Sequence, residues 1–152
     1  MAGRRILDVG CGAGPVLAAL RDDAIVCLVL HYLEDWSAPL AELRRVLAPR
    51  GRLIVVVNHP FHYKLQYRDA DYFAPREYSE EYTLSGQSVT LTYWHRPLHA
   101  MTDAFTEAGF RIAVVSEPPP APGTRERFPW VFKDLPAATA FLCFLFFVLE
   151  AA

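Results

Sequence analysis

Ile6-Leu7-Asp8-Val9-Gly10-Cys11-Gly12-Ala13-Gly14 is a short apolar run that ends in three glycines at alternate positions. Glycine has no Cβ and tolerates left-handed dihedrals, so a glycine-rich turn after a strand lets backbone approach a ligand closely. A dinucleotide fingerprint needs its third glycine three positions after the second, where this chain has Pro15. The segment therefore predicts a strand, a turn and a nucleotide-like ligand of another kind.

Outward from this motif, strand and helix patterns alternate. Ala24 to Leu30 is an apolar run of the kind that forms a strand buried on both faces. Ser37 is placed as the N-cap of a helix that presents Leu40, Leu43 and Leu47 on one face and ends at Pro49-Arg50-Gly51. Leu53 to Val57 follows as another strand. This order predicts a mostly parallel sheet.

Residues 58–96 break the pattern and hold nine of the chain's twenty aromatic residues. Alternation in Val89 to Tyr93 after a turn at Ser85 to Ser88 predicts an antiparallel hairpin from about Tyr82, inserted over the sheet. The pattern then resumes. A helix after Pro97 is expected to bury its apolar positions and to end at Gly109, and two strands follow it. The helix positions expected to be buried are Leu98, Met101, Phe105 and Ala108.

Composition excludes several classes of protein. The 152 residues predict one domain, 1–152, and 15 basic against 17 acidic residues give a formal charge of −2, too little positive charge for a nucleic-acid partner. Cys11, Cys27 and Cys143 are scattered and odd in number, which favours free thiols in a cytoplasmic protein. Ala137 to Leu149 is uncharged, but as a helix it would span only about 20 Å of a roughly 30 Å bilayer core. It is interpreted as a buried strand and not as a stable membrane anchor.

Several segments, in order, resemble class I S-adenosylmethionine-dependent methyltransferases. The glycine motif with Asp8 resembles the family's first motif, Asp23 to Asp35 its fourth-strand segment, and Leu43 to Leu53 the helix, turn and fifth strand after it. Ala108-Gly109-Phe110 resembles its penultimate helix-to-strand turn, and Phe144 to Val148 resembles its last strand. The resemblance implies an α/β Rossmann-like sheet with an aromatic-rich antiparallel insertion, and methyl transfer from S-adenosylmethionine to an oxygen, nitrogen or carbon nucleophile of a small molecule.

The resemblance also implies site residues. Gly10, Gly12 and Gly14 would wrap the methionine part of the cofactor, with Cys11 offering backbone contacts. Asp8 would orient the cofactor amino group, or else cap the turn. Leu28 and His31 would line the methyl-transfer site, where His31 is either a base or a histidine satisfied at a helix start. His59 and His62 could face one metal, but nothing fixes their geometry, and no metal site is expected.

One departure from the family is large. Leu20-Arg21-Asp22-Asp23 joins segments between which the family places about two strand–helix units, including the acidic residue that holds the ribose. No residue here inherits that role, and the first strand becomes a sheet edge, which predicts a homodimer. The alternative function is therefore a catalytically impaired remnant that acts through self-association or partner binding.

Overall fold

A five-stranded sheet forms the centre of the computed structural model, which describes residues 6–10, 21–84, 86–132 and 142–152. The strands are β1 Ile6–Val9, β2 Arg21–Cys27, β3 Leu47–Asn58, β4 Arg76–Leu84, β5 Gln87–His95, β6 Phe110–Ser116 and β7 Phe144–Ala151. The helices are α1 Ser37–Val46, α2 Pro60–Gln66, α3 Leu98–Glu107 and α4 Thr124–Arg127, with short 3₁₀ turns at Leu30–Tyr32 and Pro129–Phe132.

The central sheet has the strand order β1-β2-β3-β7-β6. β1, β2 and β3 are mutually parallel, whereas β7 runs antiparallel to both β3 and β6. The predicted mostly parallel sheet is confirmed. The apolar C-terminal run forms strand β7, which lies inside the sheet between β3 and β6. Residues 137–141 of the predicted run lie outside the described part.

One face of the sheet carries the core. Alternate residues of β3 and β7, such as Val55 and Phe147, are fully buried, as period-two geometry requires of a covered face. Helices α1 and α3 pack on this face, where Trp36 and Phe105 lie with ring centroids 5.6 Å apart. Burial of these large rings fixes both helices against the sheet.

The predicted boundaries around α1 need three corrections. β2 covers Arg21–Cys27 and stops before Leu28, because Leu28 takes a positive φ of +56° that leaves the extended region. Ser37 is the first helical residue and not the N-cap; its backbone N–H is bound instead by the carboxylate of Asp35 at 2.9 Å. Leu47 is not helical but opens β3, where it is buried and pairs with Arg21.

The helix after Pro97 is confirmed as α3, with Met101 and Phe105 buried. Gly109 follows its end with a φ of +83°, as predicted. Leu98 is wrong as a core residue: it is the first residue of the helix and is exposed.

The insertion is a short helix followed by a hairpin. α2 packs beside β4 and β5, which form a separate two-stranded antiparallel sheet in register from Arg76↔His95 to Leu84↔Gln87. The hairpin predicted from about Tyr82 is confirmed and begins earlier, at Arg76. Period-two alternation turns Tyr78, Glu80 and Tyr82 toward one face of the hairpin.

Two further expectations can be placed against these ranges. Val16 to Leu20, an apolar run that predicts a short helix directly after the glycine motif, lies outside the described residues. Across 6–10, 21–84, 86–132 and 142–152, no helix has the length and apolar character needed to cross a bilayer.

Candidate functional site

The turns after β1 and β2 touch at Gly10. Gly10 has a φ of +93°, and a Cβ built on it would lie 2.2 Å from Cγ2 of Val29. Both the dihedral and the space demand glycine at this position. The backbone of the first motif therefore lies against the segment that follows β2, at the carboxyl ends of two parallel strands, where open α/β sheets bind ligands. Cys11, Gly12 and Gly14 lie outside the described residues.

Asp8 and Leu28 flank this contact. Asp8 is an exposed residue of β1, in register with Ile25, and its neighbour Leu7 points into the core. Leu28 directly follows β2 in a left-handed conformation that is unfavourable for a bulky side chain, and its N–H donates to the carbonyl of Val56 at 2.8 Å. Strain of this kind is concentrated at functional sites. The assignment of both residues to the cofactor stays a prediction.

His31 lies in the 3₁₀ turn after β2 and is only 5% exposed. Its Nδ1 accepts a hydrogen bond from the backbone N–H of Asn58 at 3.3 Å, and its ring packs edge-on against Tyr32 and Tyr93. Burial lowers the pKa of His31 to about 4. The ring is therefore neutral at neutral pH, and Nδ1 accepts a further proton only by giving up its bond to Asn58. Its role as a base stays a prediction.

Beside His31 opens a cleft of about 320 Å³ between the sheet and the hairpin. Its walls come from the ends of β2 and β3, from α2, from the hairpin and from the start of β7. The lining residues are Leu28, His31, Tyr32, Asn58, His62, Glu80, Tyr82, Leu91, Tyr93, Cys143 and Phe144. The structure thus brings Leu28 and His31 together in one cleft.

Glu80 is a cleft residue that was not predicted from the sequence, and it lies beside Tyr82, one of the nine aromatic residues of the insertion. The Glu80 side chain is only 13% exposed; its Oε2 accepts from the hydroxyl of Tyr82, while Oε1 lies 3.7 Å from Nε2 of His62 and has no hydrogen bond. Burial raises the pKa of Tyr82, which keeps its hydroxyl protonated as a donor. Tyr78 and Glu80 precede the predicted start of the hairpin near Tyr82; the signal that could have found them is the alternation of Tyr78, Glu80 and Tyr82 at every second position.

His59 and His62 do not share a site. His59 is buried, its Nδ1 accepts from the N–H of Phe61 at 3.1 Å, and its Nε2 contacts Oε1 of Glu117 at 2.5 Å, so both ring nitrogens are engaged. His62 faces Glu80 instead. Within the described ranges no three His, Cys, Asp or Glu side chains are grouped closely enough to hold a metal ion.

The fold of this chain also occurs in solved structures of other proteins. The chain superposes on a structure from Listeria monocytogenes described as an S-adenosylmethionine-dependent methyltransferase, with a TM-score of 0.62 and 21% identity over 87% of this chain and 62% of that one. This chain has the class I methyltransferase fold. A methyltransferase from Methanosarcina mazei gives a TM-score of 0.59 at 15% identity over 89% of this chain and 62% of the other.

Part of the sequence also matches a family. Residues 21–55 match the methyltransferase domain family model, which spans β2, α1 and most of β3. A third structure with this fold, from Mesorhizobium loti, has a TM-score of 0.56 and 20% identity, covering 86% of this chain and 62% of that one. No curated protein matches significantly.

The chain spans about 62% of the length of these structures. In the described part β1 is an edge strand, with β2 on one side and no strand on the other. The expected exposed first strand is confirmed. The strands that the resemblance places beyond β1, including the one that carries the ribose acid, have no counterpart among the described residues.

Proposed function

We propose that this chain transfers the methyl group of S-adenosylmethionine to an oxygen, nitrogen or carbon nucleophile of a small molecule. The contact between Gly10 and Val29 carries the proposal, because it brings the backbone of the glycine motif against the segment after β2 and beside the cleft. The fold and the match of residues 21–55 support the same reaction class.

The residues present fit the methionine end of the cofactor. Gly10 lets the backbone after β1 pack directly against Val29, Asp8 is exposed at the same strand end, and Leu28 lines the cleft next to it. When bound, S-adenosylmethionine supplies an electrophilic methyl group on a sulfonium centre. The chain's part is to align the nucleophile with that carbon and to exclude water, which methyl transfer needs more than it needs acid–base groups.

The ribose end of the cofactor has fewer matching residues than the methionine end. Hydrogen bonds to a charged group contribute about 1.5 to 3 kcal/mol each, so the missing ribose acid weakens the expected affinity by about ten- to a thousandfold. We therefore expect S-adenosylmethionine to bind with a dissociation constant in the high micromolar to millimolar range.

The acceptor we propose is a small molecule. A cleft of about 320 Å³ lies within the range typical of small-ligand sites. The formal charge of −2 does not favour a polyanionic acceptor such as nucleic acid. Free thiols at Cys27 and Cys143 support a cytoplasmic location.

Titration calorimetry tests the proposal. S-adenosylmethionine and its demethylated product, each taken to millimolar concentration, should bind the wild type and fail to bind Gly10→Ala. Gly86→Ala is the matched control, because Gly86 has a similar φ of +81° but nothing within 4 Å of its Cβ position. The absence of heat with the wild type rules out catalysis by this chain.

A second candidate function is self-association through β1. Ile6 on this edge strand is 56% exposed, and unpaired strand edges invite pairing with another chain. Sedimentation velocity should then show a dimer that Ile6→Lys converts to monomer, while Ile6→Val leaves it intact. A monomeric wild type excludes this function, and cofactor binding by the Ile6→Lys monomer separates the two candidates.

A further inference from the structure

The Glu80 carboxylate is the charged group of the cleft whose bonding is incomplete. Its Oε2 is bound by the Tyr82 hydroxyl, whereas its Oε1 is buried with no hydrogen bond and faces the His62 ring at 3.7 Å. A buried carboxylate oxygen without a donor loses its hydration and gains nothing in exchange. A ligand that brings a hydrogen-bond donor to this atom recovers that lost free energy.

The charge of the cleft selects the kind of donor. Among the described residues that line the cleft there is no lysine or arginine, so none of them supplies a permanent cation to Glu80. His31 is neutral at neutral pH, because burial holds its pKa near 4. The His62 side chain is 45% exposed, and its Nε2 lies 3.7 Å from Oε1 of Glu80, beyond hydrogen-bond distance. The cleft therefore attracts a positively charged ligand.

Aromatic rings wall the same space. Tyr32 and Tyr93 stack with centroids 5.2 Å apart and an interplanar angle of 26°, and Tyr32 keeps 43% of its surface exposed. Tyr82, also partly exposed, stands beside them on the hairpin. Tyrosine faces attract cations within about 6 Å of the ring centre, and a carboxylate among such rings is a common way to hold an organic ammonium group.

We propose that this cleft binds an organic ammonium ion, with Glu80 as its counter-ion and Tyr32, Tyr82 and Tyr93 around its apolar part. The His62 ring turns outward into solvent, and the ammonium occupies its position beside Glu80. There the ammonium donates a hydrogen bond to Oε1 of Glu80. The further step, that the methyl acceptor is an amine-bearing small molecule, rests on the proposed function; cation binding itself does not.

Benzylamine is the probe, and benzyl alcohol is its neutral counterpart of nearly the same shape. Titrated into the full chain near pH 7 and followed by NMR, benzylamine should bind saturably and at least tenfold more tightly than benzyl alcohol. Glu80→Gln should weaken benzylamine at least tenfold and leave benzyl alcohol unchanged. Glu81→Gln is the matched control, since Glu81 is the exposed neighbour on the other face of the same strand, and it should change benzylamine affinity less than twofold.

Equal affinities for benzylamine and benzyl alcohol overturn the proposal, and this comparison needs no variant, so it stands even if Glu80→Gln fails to fold. Full benzylamine affinity in a folded Glu80→Gln protein also overturns it. A separate titration with S-adenosylmethionine reports on the proposed function. Cofactor binding without benzylamine binding rejects the ammonium site alone, and benzylamine binding without cofactor binding rejects the methyl-transfer role alone.

Discussion

The Cβ position of Gly10 lies 2.2 Å from Cγ2 of Val29, so the turns after β1 and β2 meet where no side chain fits between them. These two turns follow β1 and β2, which are adjacent, paired parallel strands. Their contact connects the glycine motif to the cleft that contains Leu28 and His31. The geometry of the candidate site therefore depends on packing between two backbone segments more than on any one polar side chain.

Replacement of Gly10 by alanine should destabilise the fold by about 2 to 5 kcal/mol. A left-handed residue with a Cβ accounts for about 1 to 2 kcal/mol, and the overlap with Val29 adds about 1 to 3 kcal/mol of overpacking. Gly86→Ala, which has the dihedral penalty but open space, should lose only about 1 to 2 kcal/mol. Urea unfolding monitored by circular dichroism measures both variants.

A double mutant isolates the packing part of that loss. Val29→Ala removes the methyl group that a Cβ on Gly10 would meet, so the Gly10→Ala/Val29→Ala protein should recover at least about 1 kcal/mol relative to additivity. Strict additivity of the two single changes would show that the turns are farther apart in solution.

His31 should make stability fall as the pH is lowered. Because its folded pKa is about 4 and its ordinary value is 6.5, the unfolded chain binds a proton between these pH values that the folded chain does not. Above pH 6.5 His31 is neutral in both states and leaves the free energy of unfolding at its full value. As the pH falls toward 4, that free energy decreases progressively, by up to about 3 kcal/mol. His95 acts in the same direction, since burial lowers its pKa too.

A variant isolates the contribution of His31. His31→Gln should flatten the fall in unfolding free energy between pH 6.5 and pH 4, and His99→Gln, which replaces an exposed histidine on α3, is the matched control. Urea titrations at half-unit pH steps give the slopes. Parallel curves for wild type and His31→Gln would mean that the His31 ring is solvated and free to charge.

The N-terminus of α2 gives a second polar test. His59 caps this helix through Nδ1 and reaches Glu117 through Nε2, which ties α2 to the segment after β6. His59→Ala should lose about 1 to 2 kcal/mol, because a cap is removed and the Phe61 N–H is left without its acceptor. His59→Asn keeps a short cap acceptor but cannot reach Glu117, so it should fall between the wild type and His59→Ala in thermal unfolding.

Local patterns predicted what local forces decide. Apolar runs identified β2, β3, β6 and β7, and Gly109 identified the end of α3, because burial and left-handed dihedrals act within a few residues. Leu47 was misplaced because its burial is compatible with either a helix face or a strand, and pairing with Arg21 decides between them. Pairing of that kind is a long-range interaction that periodicity does not contain.

Some residues of the candidate site could likewise be predicted from local sequence, and others could not. Gly10 and Leu28 follow from the motif and from the ends of neighbouring strands. Glu80 and His62 meet only because the hairpin folds back over the sheet beside α2, so their 3.7 Å separation depends on the tertiary arrangement of the insertion. Glu80 lies before the predicted start of the hairpin near Tyr82, and sequence alternation does not show which cleft a strand face will border.

Phe105 tests whether the covered face of the sheet holds the domain together. Its ring is fully buried and packs 5.6 Å from Trp36 and 4.9 Å from Phe147, centroid to centroid, so it joins α1, α3 and β7. Phe105→Ala should lose about 3 to 5 kcal/mol through lost apolar burial and the cavity left behind, a large share of the 5 to 15 kcal/mol typical of a domain. Phe73→Ala, at a ring that is 69% exposed, should change stability by less than about 1 kcal/mol. Urea unfolding followed by the fluorescence of the three tryptophans compares the two variants, and equal midpoints would contradict a core centred on this face.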